Sequence, residues 1–304
     1  NEEDLALVEL LYNYEVVKSW KNPKGALEFS LTPEQVGTFP IQVRSKRKDG
    51  LSFTDDRNFR VLSDITPKKF TPKIIETYNH GLSSYTQGLE FYEGRLFEGT
   101  GRNGQSKVSE ITLDGEPIGT EQKLDATYFG EGITIFEGTL YQLTYRKGKC
   151  FTYSIDGPLQ ILQKDFDYVG QEGWGLCNDG TSLIMSDGTE RITFRNPESF
   201  QIEKTIDVYS DRGAIPRLNE LEYIDGKIYA NVYLTNLIVA IDPETGKVLE
   251  EINCDAIESE GLGLGAGTDD AYVMNGIAYN DQNGKLYVTG KHWEHMFEIE
   301  LIAD

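Results

Sequence analysis

QGLEFYEGRLFEGTG (residues 87–101) is a short apolar run, a turn carrying Gly94, and a second apolar run. The same pattern returns as EGITIFEGTLYQLTY (131–145), WGLCNDGTSLIMSDG (174–188), NELEYIDGKIYANVY (219–233) and NGIAYNDQNGKLYVTGK (275–291). The turn glycines Gly94, Gly138, Gly180, Gly226 and Gly284 are spaced by 44, 42, 46 and 58 residues. Strand–turn–strand units at this period predict an all-β chain built as a five-bladed β-propeller, one blade per repeat.

A blade needs four strands, and the flanking segments supply the rest. KVSEITLDG (107–115), KCFTYSIDG (149–157), RITFRNP (191–197), LIVAIDPETG (237–246) and MFEIEL (296–301) read as third strands. EQKLDATYF, ILQKDFDYV, IEKTIDVYS and VLEEINCDA read as outermost strands. The last repeat has no such segment after it, whereas KIIETYNH (73–80) precedes the first. That strand is expected to join the last blade and close the ring, which removes the open sheet edges that invite aggregation. The insertion IESEGLGLGAGTDDAYVM (257–274) explains the long final interval. No βαβ unit surrounds its glycines, so it reads as a flexible lip over one face rather than a nucleotide loop.

Residues 1–66 lie outside the repeat. LALVELLYNYEVVKSW, GALEFSLT, TFPIQVRSKRK and RNFRVLSD alternate apolar and polar positions between the turn signals NPKG and KDG. They predict a small immunoglobulin-like β-sandwich, incomplete at its start. Thr66-Pro67 and Thr71-Pro72 bracket a linker over 67–72, because a residue before proline is held extended. The propeller then occupies 73–304. A leading module, with Asn1 where an initiator methionine would stand, suggests a processed and exported protein, periplasmic or at a cell surface.

The net charge of −21 argues against nucleic-acid binding, which needs a basic face. No apolar run is long enough for a transmembrane helix. Cys150, Cys177 and Cys254 are an odd number with no CxxC spacing, and Cys177 reads as a small core residue. His292 and His295 in HWEH lack the further ligands a zinc site requires.

Aligned on their turns, the repeats place Gln87, Glu131, Trp174, Asn219 and Asn275 at one equivalent position, the start of each inner strand. A propeller brings these starts to one central mouth. Tyr145, Tyr233 and Lys291 fall at matching ends of the second strands, with Gly101 and Gly188 in the other two blades. The mouth would hold one carboxylate, several amides, one lysine and an aromatic wall, the makings of a pocket. The plainer reading is a set of hydrogen bonds between inner strands, and for Asn275 in MNG that reading is favoured. A carboxylate such as Glu131 among glycines and rings would be poorly solvated and its pKa raised toward a range useful for proton transfer.

YTQGLEF (85–91), FEGTGRNGQS (97–106), YFGEGIT (128–134), LYQLTY (140–145), EGWGL (172–176), SDG (186–188), LNELEYIDGKIYANVY (218–233), VMNGIAY (273–279) and TGKHW (289–293) resemble the plant- and bacterial-type glutaminyl-peptide cyclotransferases. The resemblance covers about residues 73–301 in order. It implies a five-bladed propeller that converts N-terminal glutamine of peptides and proteins to pyroglutamate with release of ammonia. It implies Glu131 as general acid/base, Gln87 and Trp174 as substrate contacts, and Asn219 and Lys291 as holders of the amide oxygen. Tyr145 and Tyr233 stand where plant members carry tryptophans, which keeps a ring and adds a hydroxyl. No metal is required by this set, although the resemblance leaves room for a structural calcium ion. Two alternatives remain at this point: a propeller that binds peptide N-termini without turnover, and a metal-dependent lactonase or esterase needing several convergent carboxylates.

Overall fold

The computed structural model describes residues 4–162, 164–262 and 272–304. The chain divides into two compact units, residues 1–63 and 64–304.

The first unit is one antiparallel sheet of four strands, Leu5–Tyr12, Glu15–Lys21, Gly37–Arg47 and Ser52–Val61. The Leu5–Tyr12 strand lies between Glu15–Lys21 and Gly37–Arg47, and Ser52–Val61 forms an edge. Val8, Leu11 and Val36 are its buried apolar residues. The expected sandwich is not seen, since a sandwich packs a second sheet on the first and the described residues of this unit form one.

The second unit holds the five blades. Blade 1 consists of Thr86–Tyr92, Arg95–Thr100, Lys107–Ile111 and Pro117–Lys123. Blade 2 consists of Gly130–Phe136, Thr139–Thr144 and Lys149–Ser154, with its outer edge split into Gln160–Ile161 and Phe166–Asp167. Blade 3 is Leu176–Asn178, Leu183–Ser186, Arg191–Arg195 and Ile202–Asp207. Blade 4 is Leu218–Ile224, Lys227–Val232, Leu237–Ile241 and Val248–Asn253. Blade 5 is Met274–Asn280, Lys285–Gly290 and His295–Ala303, completed by Lys68–Asn79. Each inner strand touches the inner strands of both neighbours, and that of blade 5 returns to that of blade 1.

The repeat turns explain why the pattern was visible. All five turn glycines have positive φ, between 72° and 81°. In blades 1, 2 and 4 the residue before them (Glu93, Glu137, Asp225) is positive too. Two successive left-handed residues make the tight turn whose twist suits a two-residue hairpin, and glycine adopts that conformation without a Cβ clash. Packing follows the same repeat. Five apolar clusters fill the five blade-to-blade interfaces. Between blades 1 and 2, for example, Phe97 and Val108 meet Ile133, Leu140 and Tyr153.

The strand Lys68–Asn79 closes the ring. It pairs antiparallel with the C-terminal strand from His295↔Asn79 to Ala303↔Phe70. Its first residues also pair in parallel with blade 4, Glu250↔Lys68 to Ile252↔Phe70. The expected linker over 67–72 is therefore strand from Lys68 onward. The extended geometry imposed before proline suits a strand as well as a linker. The insertion after blade 4 begins as a helix, Asp255–Leu262, whose Gly261 packs against the Trp293 ring. The remainder of the expected lip, residues 263–271, lies outside the described residues.

Candidate active site

Four of the inner strands break register at their first residues. The breaks fall between Thr86 and Gly88, Gly130 and Ile133, Leu218 and Leu221, and Met274 and Ile277. A bulge bends a strand and re-aims its side chains. Gln87, Glu131, Asn219 and Asn275 occupy these breaks. In blade 3 the strand begins at Leu176, and Trp174 takes the equivalent place with its N–H donated to Ser186 O at 3.2 Å. The backbones crowd here. A Cβ on Gly175 would lie 1.9 Å from Asn219 O, and one on Gly188 (φ 78°) would lie 2.4 Å from the Trp174 ring. Only glycine fits either position.

A cavity of about 220 Å³ opens at this mouth, lined by Gln87, Glu131, Tyr145, Trp174, Asn219, Tyr233 and Lys291, together with Tyr85 and Phe129. Seven of the eight side chains that the repeat alignment places at the mouth thus line one cavity. Asn275 stands behind the wall, where its Nδ2 donates to Thr86 O at 2.9 Å and to Gln87 Oε1 at 3.3 Å. That bond occupies the Gln87 carbonyl oxygen and leaves its NH2 group as the available donor. Asn219 is buried, and its Oδ1 has no hydrogen-bond partner among the described residues. An amide in the wall of a cavity with its oxygen unpartnered is placed to meet a ligand, the oxygen as acceptor and the NH2 as donor.

The walls form a nearly closed collar of rings. Tyr85 meets Phe129 edge-on at 6.0 Å between centroids, Phe129 meets Tyr145 at 5.9 Å, Tyr145 meets Trp174 at 6.3 Å, and Trp174 meets Tyr233 at 5.4 Å. Lys291 bridges the two ends, with Nζ 4.9 Å from the Tyr85 centroid and 5.0 Å from that of Tyr233. Ring faces attract an ammonium, most strongly where water is excluded. At the rim, Trp174 Nε1–H donates to Glu172 at 3.1 Å, and Arg146 Nε donates to the same carboxylate at 2.7 Å. The indole N–H is thus committed to Glu172, which leaves the Trp174 ring to make the expected substrate contact.

Burial pushes the Glu131 carboxyl well above the usual carboxylate range; Lys291 opposes that shift and Glu172 adds to it. Burial brings the Lys291 ammonium down to about 8, against the pull of Glu131. Both follow from one cause, since low dielectric disfavours either charge. The other acids of the inner strands are turned inward to backbone. Glu220 accepts from Leu89 N at 3.2 Å and Ile277 N at 2.9 Å, and Glu222 accepts from Tyr279 N at 2.8 Å. Among the described residues no group of three or more His, Cys, Asp or Glu side chains is placed to hold a metal ion.

Tyr85 and Phe129 were missed by the sequence reading. Each stands two residues before its ring residue, Tyr85 before Gln87 and Phe129 before Glu131. Both stand just before the first residue of their strand, Thr86 and Gly130, so the alternation within the repeat does not reach them.

The sequence matches the family model described as glutamine cyclotransferase over residues 51–301. It is 35% identical over 232 residues to a glutaminyl-peptide cyclotransferase of Arabidopsis thaliana, covering 75% of this chain and 71% of that protein. It superimposes on the crystal structure of Myxococcus xanthus glutaminyl cyclase with a TM-score of 0.72 and 34% identity, covering 78% of this chain and 99% of the other. With the propeller, its mouth and these likenesses together, the chain belongs to the glutamine cyclotransferase family.

Proposed function

We propose that the mouth converts the N-terminal glutamine of peptides and proteins to pyroglutamate and ammonia, with Glu131 carrying the proton. The observation that supports this best is a buried carboxyl and a buried lysine lining one small aromatic-walled cavity. The cavity suits a single side chain folded back on its own α-amine. The α-nitrogen attacks the γ-carboxamide carbon, and the C–N bond formed closes a five-membered ring. Glu131 takes a proton from that nitrogen and returns it to the amide nitrogen as the old C–N bond breaks, so ammonia leaves and the carbonyl is restored. A carboxyl with a raised pKa can serve in both directions.

Lys291 and Asn219 hold the γ-oxygen while it carries negative charge. Preorganised donors count for most at this stage, because they act on charge present only in the transition state. Gln87 receives the amine or amide of the substrate, and Trp174, Tyr145 and Tyr233 enclose its methylenes. Since both reacting groups belong to one residue, orientation supplies much of the acceleration. These roles need no metal.

The test is ammonia release from a glutaminyl dipeptide such as Gln-Ala, with and without a strong chelator. Turnover unaffected by chelator is the expected result. Tight binding without ammonia release would instead identify a module that only holds peptide N-termini. Loss of turnover on chelation would overturn the metal-free assignment.

A further inference from the structure

Directly behind the cavity wall lies a second cluster of polar side chains. His80, at the end of the ring-closing strand, and Glu98, on the second strand of blade 1, are both buried, with His80 Nε2 3.1 Å from Glu98 Oε1. The opposite ring nitrogen, Nδ1, faces Trp293 O at 3.2 Å and Thr289 Oγ1 at 3.3 Å. Thr289 donates its own proton to His295 O at 3.0 Å, so its oxygen is an acceptor toward His80. Both imidazole nitrogens thus meet acceptors, the environment of an imidazolium. Glu98 also accepts from Thr86 Oγ1 at 2.7 Å and from Ser84 Oγ at 3.1 Å. Burial alone would neutralise both groups, yet the His80 imidazole is held above its ordinary value by Glu98, and the Glu98 carboxyl below its own by His80.

What matters is where these bonds lead. Thr289 and Trp293 flank Lys291 by two residues on either side, and Thr86 precedes Gln87. The neighbouring backbone adds His292 N donating to Ser84 O at 2.7 Å. The pair therefore spans the junction between the last blade and the first, at the point where each contributes a side chain to the cavity. A buried ion pair is poor evidence of stabilisation by itself, because desolvation offsets much of the attraction, while its best-attested use is to fix one arrangement.

We propose that His80 and Glu98 are positioning residues of the cyclisation reaction, holding the Lys291 turn in register with the strand start that carries Gln87. The inference rests on the roles given above to Lys291 and Gln87. Neither His80 nor Glu98 lines the cavity, so both act through the residues they hold.

The experiment compares Glu98→Leu, Glu98→Gln, Thr86→Val and Lys291→Met for ammonia release from Gln-Ala, each assayed well below its own Tm. Glu110→Gln, which disrupts the Arg95–Glu110 pair away from the mouth, is the control for a merely structural pair. Glu98→Leu should lower kcat about tenfold or more with KM changed less than about twofold, the signature of misplaced groups. Glu98→Gln keeps one acceptor oxygen and places an NH2 where the Ser84 hydroxyl can accept, and should recover part of that loss. Thr86→Val, which deletes one hydroxyl link at constant shape, should lower kcat in the same sense if Glu98→Leu does not fold. Glu110→Gln should lower Tm with kcat unchanged. Native kcat in both Glu98→Leu and Thr86→Val beside an impaired Lys291→Met would overturn this inference alone. Native kcat in Lys291→Met would overturn the reading of the site and this inference with it.

Discussion

The carboxyl of Glu131 and the ammonium of Lys291 line the same cavity, and burial moves their titrations toward each other, the acid upward and the amine down to about 8. A bell-shaped pH dependence of kcat/KM follows. The rising limb reports ionisation of Glu131 above the usual carboxylate range, and the falling limb near pH 8 reports loss of the Lys291 proton. The ammonium opposes the upward shift of Glu131, so Lys291→Met should move the rising limb to higher pH and remove the falling one. A rising limb that stays in place would show that the two groups do not sense each other.

Glu131→Gln keeps the shape of the side chain and deletes the proton carrier. Ammonia release should fall by about 10²–10⁴-fold, the usual worth of a positioned acid or base. The Tm at neutral pH should not drop, because the amide carries no charge to desolvate. A variant that keeps native turnover would assign the proton to another group.

Asn219→Ala removes a donor from the developing oxyanion. A loss of about 10²–10³ in kcat is expected, with little change in KM, since the bond matters most in the transition state. The opposite split, a raised KM at native kcat, would place Asn219 in ground-state binding instead.

Trp174→Phe keeps a ring in the collar and deletes the Nε1–H bond to Glu172. Glu172 has its pKa lowered; burial opposes that shift, and the bonds from Arg146 and Trp174 produce it. With one donor gone the rim carboxylate should loosen and the wall should lose order. The expected outcome is a KM raised several-fold with kcat changed less, as read from steady-state kinetics on Gln-Ala.

Glu90 supplies a test that involves no substrate. It is buried, its carboxyl is pushed up to about 8 by desolvation, and its Oε2 lacks a partner among the described residues. The folded chain keeps this proton where the unfolded chain has lost it. Stability therefore falls as pH rises from the ordinary carboxylate value toward about 8. Glu90→Gln retains an oxygen for the Ile135 N–H, now accepted at 3.0 Å. It should raise Tm at pH 8 more than at pH 5. An equal change at both would mean that Glu90 is ionised in the fold.

Much of this molecule was legible in advance because it repeats. Gly94, Gly138, Gly180, Gly226 and Gly284 mark turns that need positive φ, and that requirement shows in sequence. The closing role of KIIETYNH came from counting strands, and its pairing with His295–Ala303 agrees. The mouth residues were legible because alignment on the turns also aligns the strand starts. Other features were less visible. Tyr85 and Phe129 look like ordinary strand aromatics, since nothing local distinguishes a ring facing a cavity from one facing a core. The bulges that aim Glu131 and Asn219 are properties of pairing between strands and have no signature in either strand alone. The bond from Trp174 to Glu172 depends on a rotamer. The sheet of residues 5–61 alternates as a sandwich strand would, and alternation does not say whether a second sheet faces it.

The strand that opens the propeller in sequence is held by the strand that ends it, with Asn79 against His295. A ribosome delivers those partners roughly 200 residues apart. Until the final segment emerges, blade 5 lacks an outer half and the nascent chain carries a bare edge. Lys291 lies on that late-arriving side of the seam, and Gln87 and Glu131 on the early side. A chain cut before His295 would thus lose both its clasp and the alignment of its reactive groups, and a complete cavity can exist only once residues 295–303 have left the ribosome.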